Sequence, residues 1–226
     1  MPTLPKSPAY STPVSGTDEK RLAAHAAAEL VEAGMAVGLG TGSTVGFFLP
    51  ALADRRLTIR CVATSPQTER AARELGLDVE PFDSLERLDL AVDGADQVTP
   101  DGWLVKGGGG AHTREKIVAA AADRFVVVVS SDKAVERLSP PVPLELHAFG
   151  LHATLGRLGH VALRDVPPTP DGGVVADYEG PLDDPAVLSA RLDGEPGVVA
   201  HGLFPPTLVS LVLVARGDRV ERIDVA

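Results

Sequence analysis

Short continuous apolar runs alternate with segments of helical periodicity along residues 17–130. The apolar runs predict buried strands at 35–39, 58–63, 88–93, 104–106 and 125–130. Helical patterns cover 18–32, 44–53, 67–75 and 114–122. Strands that are apolar throughout and are separated by helices are typical of a parallel sheet with helices on both faces. This part of the chain therefore predicts an α/β domain.

The pattern changes after Pro140 and Pro141. Strands at 144–149, 161–164, 173–178 and 198–203 and helices at 151–158 and 185–192 follow the order β-α-β-β-α-β, which is typical of a small ferredoxin-like domain. A further apolar strand at 208–215 is long enough to return to the first sheet. We predict a Rossmann-like parallel sheet domain with a smaller α+β domain inserted before the last strand. The domains are 1–140 with 207–226, and 141–206; the proline-rich residues 1–16 form a loose tail.

A glycine-rich turn, from Gly38 to Thr44, joins the first predicted strand to the next helix. Its backbone N–H groups, the positive helix end and the Ser and Thr hydroxyls favour a phosphate or a similar anion. A dinucleotide fingerprint would need a third glycine where Val45 stands, and a P-loop would need a Gly-Lys-Ser/Thr sequence. A tight turn with no ligand remains the alternative.

The sequence Asp93-Gly94-Ala95-Asp96 ends another apolar strand. Ligands of open α/β sheets bind beyond the carboxyl ends of the strands. The two carboxylates there would accept hydrogen bonds from sugar hydroxyls or transfer a proton. The alternative is an ordinary Asp-Gly turn, which needs no function.

The most informative stretch runs from Lys106 through four glycines to Glu115 in the first turn of a helix. A cation, free backbone amides and a carboxylate that converge on one point predict proton abstraction next to a carbonyl. Glu115 also fits a helix first turn for purely electrostatic reasons, and the helix dipole would lower its pKa unless desolvation offsets that effect. Lys133 and Lys20 are either solvated surface lysines or cations directed into the same site.

Composition excludes several classes of function. A net charge of −10 and only nine aromatic residues argue against nucleic-acid binding. The six histidines have no metal-ligand spacing, and the single cysteine, Cys61, lies in a predicted buried strand. No apolar run reaches the ~18 residues of a membrane span, and no signal sequence is evident, so we expect a cytoplasmic protein without a membrane, metal or nucleic-acid partner.

Four motifs in this order resemble type A ribose-5-phosphate isomerase. They are the glycine-rich turn at 38–44, Thr-Ser-x-x-Thr at 64–68, Asp-Gly-Ala-Asp at 93–96, and Lys-Gly-Gly-Gly-Gly-Ala-x-x-Arg-Glu-Lys-Ile at 106–117. The resemblance extends from about Glu19 to the C-terminus. It implies a cofactor-free aldose–ketose isomerase of the non-oxidative pentose phosphate pathway, which interconverts D-ribose 5-phosphate and D-ribulose 5-phosphate as a homodimer or homotetramer.

The resemblance also implies roles for individual residues. The phosphate region is held by Thr41, Gly42, Ser43 and Thr44. The sugar is contacted by Asp93, Gly94, Ala95 and Asp96. The oxygens that become negative are bound by Lys106, Gly107, Gly108 and Gly109. Glu115 matches the general base, Lys133 a substrate-binding lysine, and Lys20 a lysine of the first helix.

The implied reaction begins after ring opening, a step to which the sequence assigns no residue. Glu115 removes the proton on C2 to form a cis-enediolate, which Lys106 and the glycine amides stabilise. Glu115 then returns the proton to C1, while Asp93 or Asp96 moves the hydroxyl proton. The chain departs from the family pattern at Gln97, at 169–173 and at 205–207, all outside this chemistry.

Two other classes of function remain open at this point. One is a sugar-phosphate sensor, although a DNA-binding helix-turn-helix segment does not fit in the short tail. The other is a different sugar-phosphate enzyme of similar architecture, either a lactonase or an amino-sugar deaminase. Fold analogy alone does not separate these from an isomerase.

Overall fold

The computed structural model describes residues 16–225. The predicted tail lies outside the described residues except for Gly16, which begins the first helix. The helices are α1 (Gly16–Ala28), α2 (Val45–Asp54), α3 (Pro66–Glu74), α4 (His112–Ala121), α5 (Leu151–Leu158) and α6 (Pro185–Asp193). The strands are β1 (Ala36–Leu39), β2 (Arg60–Ala63), β3 (Leu90–Asp93), β4 (Gln97–Val98), β5 (Leu104–Val105), β6 (Phe125–Ser130), β7 (Val142–Leu146), β8 (Val161–Leu163), β9 (Val174–Tyr178), β10 (Val198–His201), β11 (Leu203–Phe204), β12 (Leu211–Arg216) and β13 (Arg219–Asp224).

The main sheet has six strands in the order β13-β12-β6-β3-β1-β2, and all neighbours except β12 and β13 are parallel. Its central strand β6 is apolar on both faces because two cores meet there. Val126 and Val128 belong to the core that includes α1 and α2, whereas Val127 and Val129 belong to the core that includes α4. The predicted α/β fold class with a parallel sheet is confirmed. No helix within residues 16–225 is long and apolar enough to cross a membrane.

A second sheet has the order β10-β7-β9-β8, is antiparallel throughout, and carries α5 and α6 in its connections. This is the predicted β-α-β-β-α-β arrangement. Strand β12 pairs in parallel with β6, so the last apolar run returns to the main sheet. The chain then continues into β13, which was not predicted because its residues are charged and mostly exposed.

A strand does form within the predicted run at 104–106, but the prediction that it pairs within the parallel sheet was wrong. Strand β5 does not join the parallel sheet; it pairs antiparallel with β4 and with β11 in a small third sheet. The run predicted as one strand at 198–203 is also divided. Gly202 separates β10 from β11 and makes two backbone hydrogen bonds. Its N–H donates to the Pro143 carbonyl, and its carbonyl accepts from the Lys106 N–H. A Cβ on Gly202 would lie 2.1 Å from the Lys106 carbonyl oxygen, so only glycine fits there.

The proposed domain boundaries at 140/141 and 206/207 stay a prediction. The separate antiparallel sheet of β7 to β10 supports them. We call the proposed domain at 141–206 the smaller unit and the rest of the chain the larger unit. The third sheet, however, joins β11 from the smaller unit to β4 and β5 from the larger unit.

Helix α1 is attached to the main sheet by a buried carboxylate. Glu19 accepts hydrogen bonds from Ser131 N (2.9 Å), Ser131 Oγ (2.8 Å) and Gly217 N (2.8 Å). Burial raises the pKa of Glu19, but the hydrogen bonds from Gly217 and Ser131 outweigh it, so the pKa is lowered overall. This contact holds the start of α1, with Lys20, beside the turn that carries Lys133.

We expect Glu19→Ala to lower the free energy of unfolding by about 2–4 kcal/mol at pH 7, because charge-assisted bonds are lost and two backbone donors lose their acceptor. A carboxylate whose folded-state pKa is lowered stabilises above its unfolded pKa, about 4.3, and that stability is lost as pH falls through the folded value. Urea denaturation should therefore show a gap between wild type and variant at pH 7 that narrows at low pH. The exposed Glu29→Ala is the control; equal stability of Glu19→Ala and wild type at pH 7 would disprove the anchoring role.

Candidate active site

One cavity lies beyond the carboxyl ends of β1 and β3, which are parallel neighbours. Fourteen residues line it: Lys20, Thr41, Gly42, Ser43, Thr44, Gly94, Ala95, Asp96, Lys106, Gly107, Gly108, Gly109, Glu115 and Lys133. Every residue that the sequence proposed for the site is among them, except Asp93. The structure thus brings these residues together from α1, from the turns after β1, β3 and β6, and from the loop before α4.

The Lys106 ammonium is the centre of the buried wall of this cavity. Its Nζ lies 2.9 Å from Asp93 Oδ2 and 3.1 Å from Glu115 Oε2, and it donates a hydrogen bond to the Gly94 carbonyl. The three charged residues are at most 5% exposed. Burial lowers the pKa of Lys106, but Asp93 and Glu115 together raise it above its ordinary value, so the ammonium stays charged.

The two carboxylates beside Lys106 differ in their other partners. Asp93 Oδ1 accepts from Thr41 N (3.0 Å) and Gly94 N (2.7 Å). Burial raises the pKa of Asp93 overall, although Lys106 and these two amides oppose that rise. For Glu115, burial and then the charge of Asp93 raise the pKa to about 8, with Lys106 alone acting strongly against them. Asp93 accepts two backbone N–H bonds besides its contact with Lys106, whereas among residues 16–225 only Lys106 bonds the Glu115 carboxylate. Because those N–H bonds stabilise the ionised form, we assign the negative charge to Asp93, and Glu115 is the group that exchanges a proton near neutral pH.

The turn after β1 is shaped by the motif at 64–68. The Thr41 hydroxyl lies 2.9 Å from Thr64 Oγ1, 2.8 Å from Ser65 Oγ and 3.0 Å from Thr68 Oγ1. Because both its hydroxyl and its N–H are already bonded, Thr41 supports the turn more than it offers donors to a ligand. A Cβ on Gly40 would lie 2.1 Å from Asp93 Cγ, which explains the glycine there.

A positively charged end of the cavity lies around Ser43. Lys20 Nζ donates to Ser43 Oγ (3.0 Å), and Lys133 also lines the cavity while it pairs with Asp132 at 3.3 Å. Thr44 directly precedes α2, and its hydroxyl has no hydrogen-bond partner within residues 16–225. Two ammonium groups, two hydroxyls and a helix N-terminus form an arrangement that is suited to a phosphate.

The glycine loop before α4 is held close to its neighbours. Asp96 Oδ2 accepts from Gly108 N at 2.8 Å, so this carboxylate also orients the loop. Gly107 has φ of +103°, and a Cβ on it would lie 2.6 Å from His112 Nδ1. His112 is fully buried, and burial lowers its pKa to about 3, which keeps the imidazole neutral. The His112 side chain packs against Gly107 of the glycine loop.

Sequence reasoning did not identify Arg164 or Glu19 as part of the site. Arg164 Nη1 donates to the carbonyls of Gly107 (3.0 Å) and Gly108 (2.9 Å). It comes from the smaller unit, 57 positions along the chain from Gly107, so no local pattern connects the two. Glu19 adjoins Lys20, but only its contact with Ser131 reveals its role. Among the described residues, no three His, Cys, Asp or Glu side chains form a group that could hold a metal ion.

Known proteins resemble this chain over most of its length. A family model described as ribose 5-phosphate isomerase A (phosphoriboisomerase A) matches residues 60–219. A ribose-5-phosphate isomerase A of Caulobacter sp. is 45% identical over 206 residues, which cover 84% of this chain and 91% of that protein.

Solved structures give the same result. The crystal structure of ribose 5-phosphate isomerase A from Neisseria gonorrhoeae has a TM-score of 0.91 and 29% identity, covering 95% of this chain and 100% of that one. A D-ribose-5-phosphate isomerase in complex with phospho-erythronic acid has a TM-score of 0.87 and 32% identity, covering 93% and 99%. Since the family model spans more than half of the chain and the relatives match it nearly end to end, the chain belongs to the ribose 5-phosphate isomerase A family of aldose–ketose isomerases, which interconvert ribose 5-phosphate and ribulose 5-phosphate.

Proposed function

We propose that this chain isomerises ribose 5-phosphate through a cis-enediolate, with Glu115 as the base and without a cofactor, in the non-oxidative pentose phosphate pathway. The observation that carries the proposal is the buried Lys106 ammonium between Asp93 and Glu115 at the wall of the cavity. A base with a pKa near 8 beside a fixed cation suits proton abstraction next to a carbonyl.

The phosphate would occupy the end of the cavity with Lys20, Ser43, Thr44 and Lys133. These groups supply charge and hydroxyl donors, and the two carboxylates that line the cavity, Asp96 and Glu115, are not among them. Binding the phosphate there would direct the sugar carbons towards Lys106 and Glu115. Binding energy from this non-reacting group would then hold C1 and C2 in place for proton transfer.

The reaction needs one base and one oxyanion site. Glu115 takes the proton from C2 of the open-chain aldose, and the negative charge that develops on the carbonyl oxygen is stabilised by Lys106 and the amides of the glycine loop. Glu115 returns the proton to C1, while the proton of the C2 hydroxyl passes to the C1 oxygen, so that C2 becomes the carbonyl carbon. Asp96 lines the cavity and Asp93 does not, which supports Asp96 as the carboxylate that contacts the sugar hydroxyls and Asp93 as a group that acts through Lys106.

Phospho-erythronic acid is a useful probe of this proposal. One solved relative is described as a complex with it. It joins a phosphate to a carboxylate, and the carboxylate carries its charge where an enediolate would. We expect it to bind here with the phosphate at Lys20 and Ser43. The homodimeric or homotetrameric state and the cytoplasmic location stay predictions.

Glu115→Gln should lower kcat by at least about 10²-fold, because the amide keeps the size of the side chain but cannot accept the proton. The assay is ketose formation from ribose 5-phosphate with a chelator present. Ribose 5-phosphate binding and thermal stability should change little. In heavy water the wild type should transfer part of the C2 hydrogen directly to C1 and exchange the rest with deuterium, because one base serves both carbons. The exposed Glu74→Gln is the matched control. Near wild-type turnover of Glu115→Gln would reject the assignment of the base.

The pH dependence of kcat/KM tests the electrostatics of the cluster. Glu115 acts when ionised, and its pKa is raised to about 8, so the rate should rise with pH and level off above that value. Asp93→Asn removes a negative charge that raises this pKa, and the rising limb should therefore move to lower pH. Asp96→Asn should move it in the same direction but less, because Asp96 contributes less to the shift. A limb that stays in place in Asp93→Asn would contradict the coupling between the two carboxylates.

Replacing Ser43 and Thr44 with alanine tests the phosphate end. Each charge-assisted hydrogen bond lost is worth about 1.5–3 kcal/mol, so each substitution should weaken substrate affinity by about 10- to 100-fold. The effect should appear in KM and in competitive inhibition by inorganic phosphate. Gly46→Ala in α2 is the control, since a Cβ there meets no atom within 4 Å. Unchanged affinity in both alanine variants would remove this turn from the site.

A further inference from the structure

Arg164 connects the smaller unit to the glycine loop through a guanidinium group whose three nitrogens all donate hydrogen bonds. Its Nε and Nη2 bind the two carboxylate oxygens of Asp177 at 2.7 and 2.6 Å. Its Nη1 donates to the carbonyls of Gly107 and Gly108. The Arg164 and Asp177 side chains are only 19% and 18% exposed. One side chain thus joins a strand of the second sheet to two consecutive peptide groups of the active-site loop.

Peptide geometry determines what these contacts do to the loop. A trans peptide is planar, with its C=O and N–H pointing in opposite directions. The peptide between Gly107 and Gly108 is held at both ends, since Arg164 binds its carbonyl and Asp96 accepts from its N–H. In the next peptide, Arg164 binds the Gly108 carbonyl. The Gly109 N–H must therefore point away from Arg164, and no acceptor within residues 16–225 bonds it.

Gly109 lines the same cavity as Lys106 and Glu115. We propose that Arg164 is a positioning residue of the active site: by holding the Gly108 carbonyl it directs the free Gly109 N–H towards the oxygen that becomes negative in the reaction. This inference rests on the function proposed above. It adds a residue from the smaller unit that touches no reacting atom and acts through the loop.

The structure also explains why this residue is an arginine. Asp177 lies opposite Ala162 in the pairing of β8 and β9, and the Arg164 N–H donates to the Val175 carbonyl, so both partners are fixed by the second sheet. A guanidinium binds a carboxylate with two nitrogens and still has a third nitrogen for the loop. Lysine has a single nitrogen on a flexible chain and cannot hold Asp177 and both carbonyls in one geometry.

The experiment compares Arg164→Gln, Arg164→Lys and Asp177→Asn with wild type. Arg157→Gln is the matched control, because Arg157 forms an ion pair with Glu195 in the same unit, away from the loop. For Arg164→Gln we expect kcat for ribose 5-phosphate to fall between about 10- and 10²-fold, the loss that a displacement of about 1 Å in a catalytic group produces. Arg164→Lys should recover part of the rate, and Asp177→Asn should fall between wild type and Arg164→Gln.

Two binding probes separate positioning from a general loss of structure. Affinity for phospho-erythronic acid, whose carboxylate would meet the Gly109 N–H, should fall in parallel with kcat in Arg164→Gln. Affinity for inorganic phosphate, which needs only the other end of the cavity, should stay within about twofold of wild type. Amide hydrogen exchange should become faster at Gly108, whose N–H is bonded to Asp96, and stay unchanged in α4.

The experiment distinguishes a failure of this inference from a failure of the proposed function. A wild-type protein that does not isomerise ribose 5-phosphate would overturn the proposed function and this inference together. An active wild type whose Arg164→Gln variant keeps its kcat and its affinity for phospho-erythronic acid would overturn the inference alone. Equal losses of affinity for phospho-erythronic acid and inorganic phosphate would also overturn it, because the whole site would then have been disrupted.

Discussion

The structure of the site depends on one buried ammonium group shared by two carboxylates. Lys106 cannot keep its charge at this buried position without compensating charge, and two carboxylates this close cannot both ionise easily without a cation between them. The three groups therefore require one another. Because there is one more acid than base, a proton equilibrium remains near neutral pH. The different hydrogen-bond partners of Asp93 and Glu115 assign that equilibrium to Glu115.

The fold assembles this cluster from separate elements. Asp93 ends a strand of the parallel sheet, Lys106 follows a strand of the small third sheet, and Glu115 lies in the first turn of α4. The Lys106 backbone is held by Gly202, which lies between the second and third sheets. Residues 141–206 therefore support the site: Gly202 holds the lysine backbone and Arg164 holds the glycine loop.

Much of this arrangement could be predicted from the sequence, for identifiable reasons. The central strands β6 and β12 of the main sheet are apolar on both faces, which makes them easy to recognise. The motifs at 38–44, 64–68 and 93–96 lie in turns next to strands of this sheet, so their convergence follows from parallel pairing. The motif at 106–117 follows β5 of the third sheet instead. The roles that the family resemblance gives to these residues stay predictions, although the geometry agrees with them. The helix dipole alone favours a low pKa at Glu115, whereas burial and the charge of Asp93 raise it.

Other features have no local signal. Strand β13 is charged and exposed, β4 and β5 have two residues each, and the division at Gly202 depends on a close approach to Lys106. Arg164 and Glu19 act through contacts with residues far along the chain. Such features follow from the packing of sheets against one another, which periodicity along a single segment does not encode.

The pKa of the Glu115 carboxyl group is the most direct test of the central claim. It can be measured by ¹³C NMR titration of protein labelled at glutamate side-chain carbons, with Glu115→Gln used to assign the resonance. The account predicts a midpoint near 8, well above the ordinary value of 4.5. A midpoint near 4.5 would mean that Glu115 is fully ionised beside Lys106 and Asp93, and would contradict the shared-charge cluster on which the site is built.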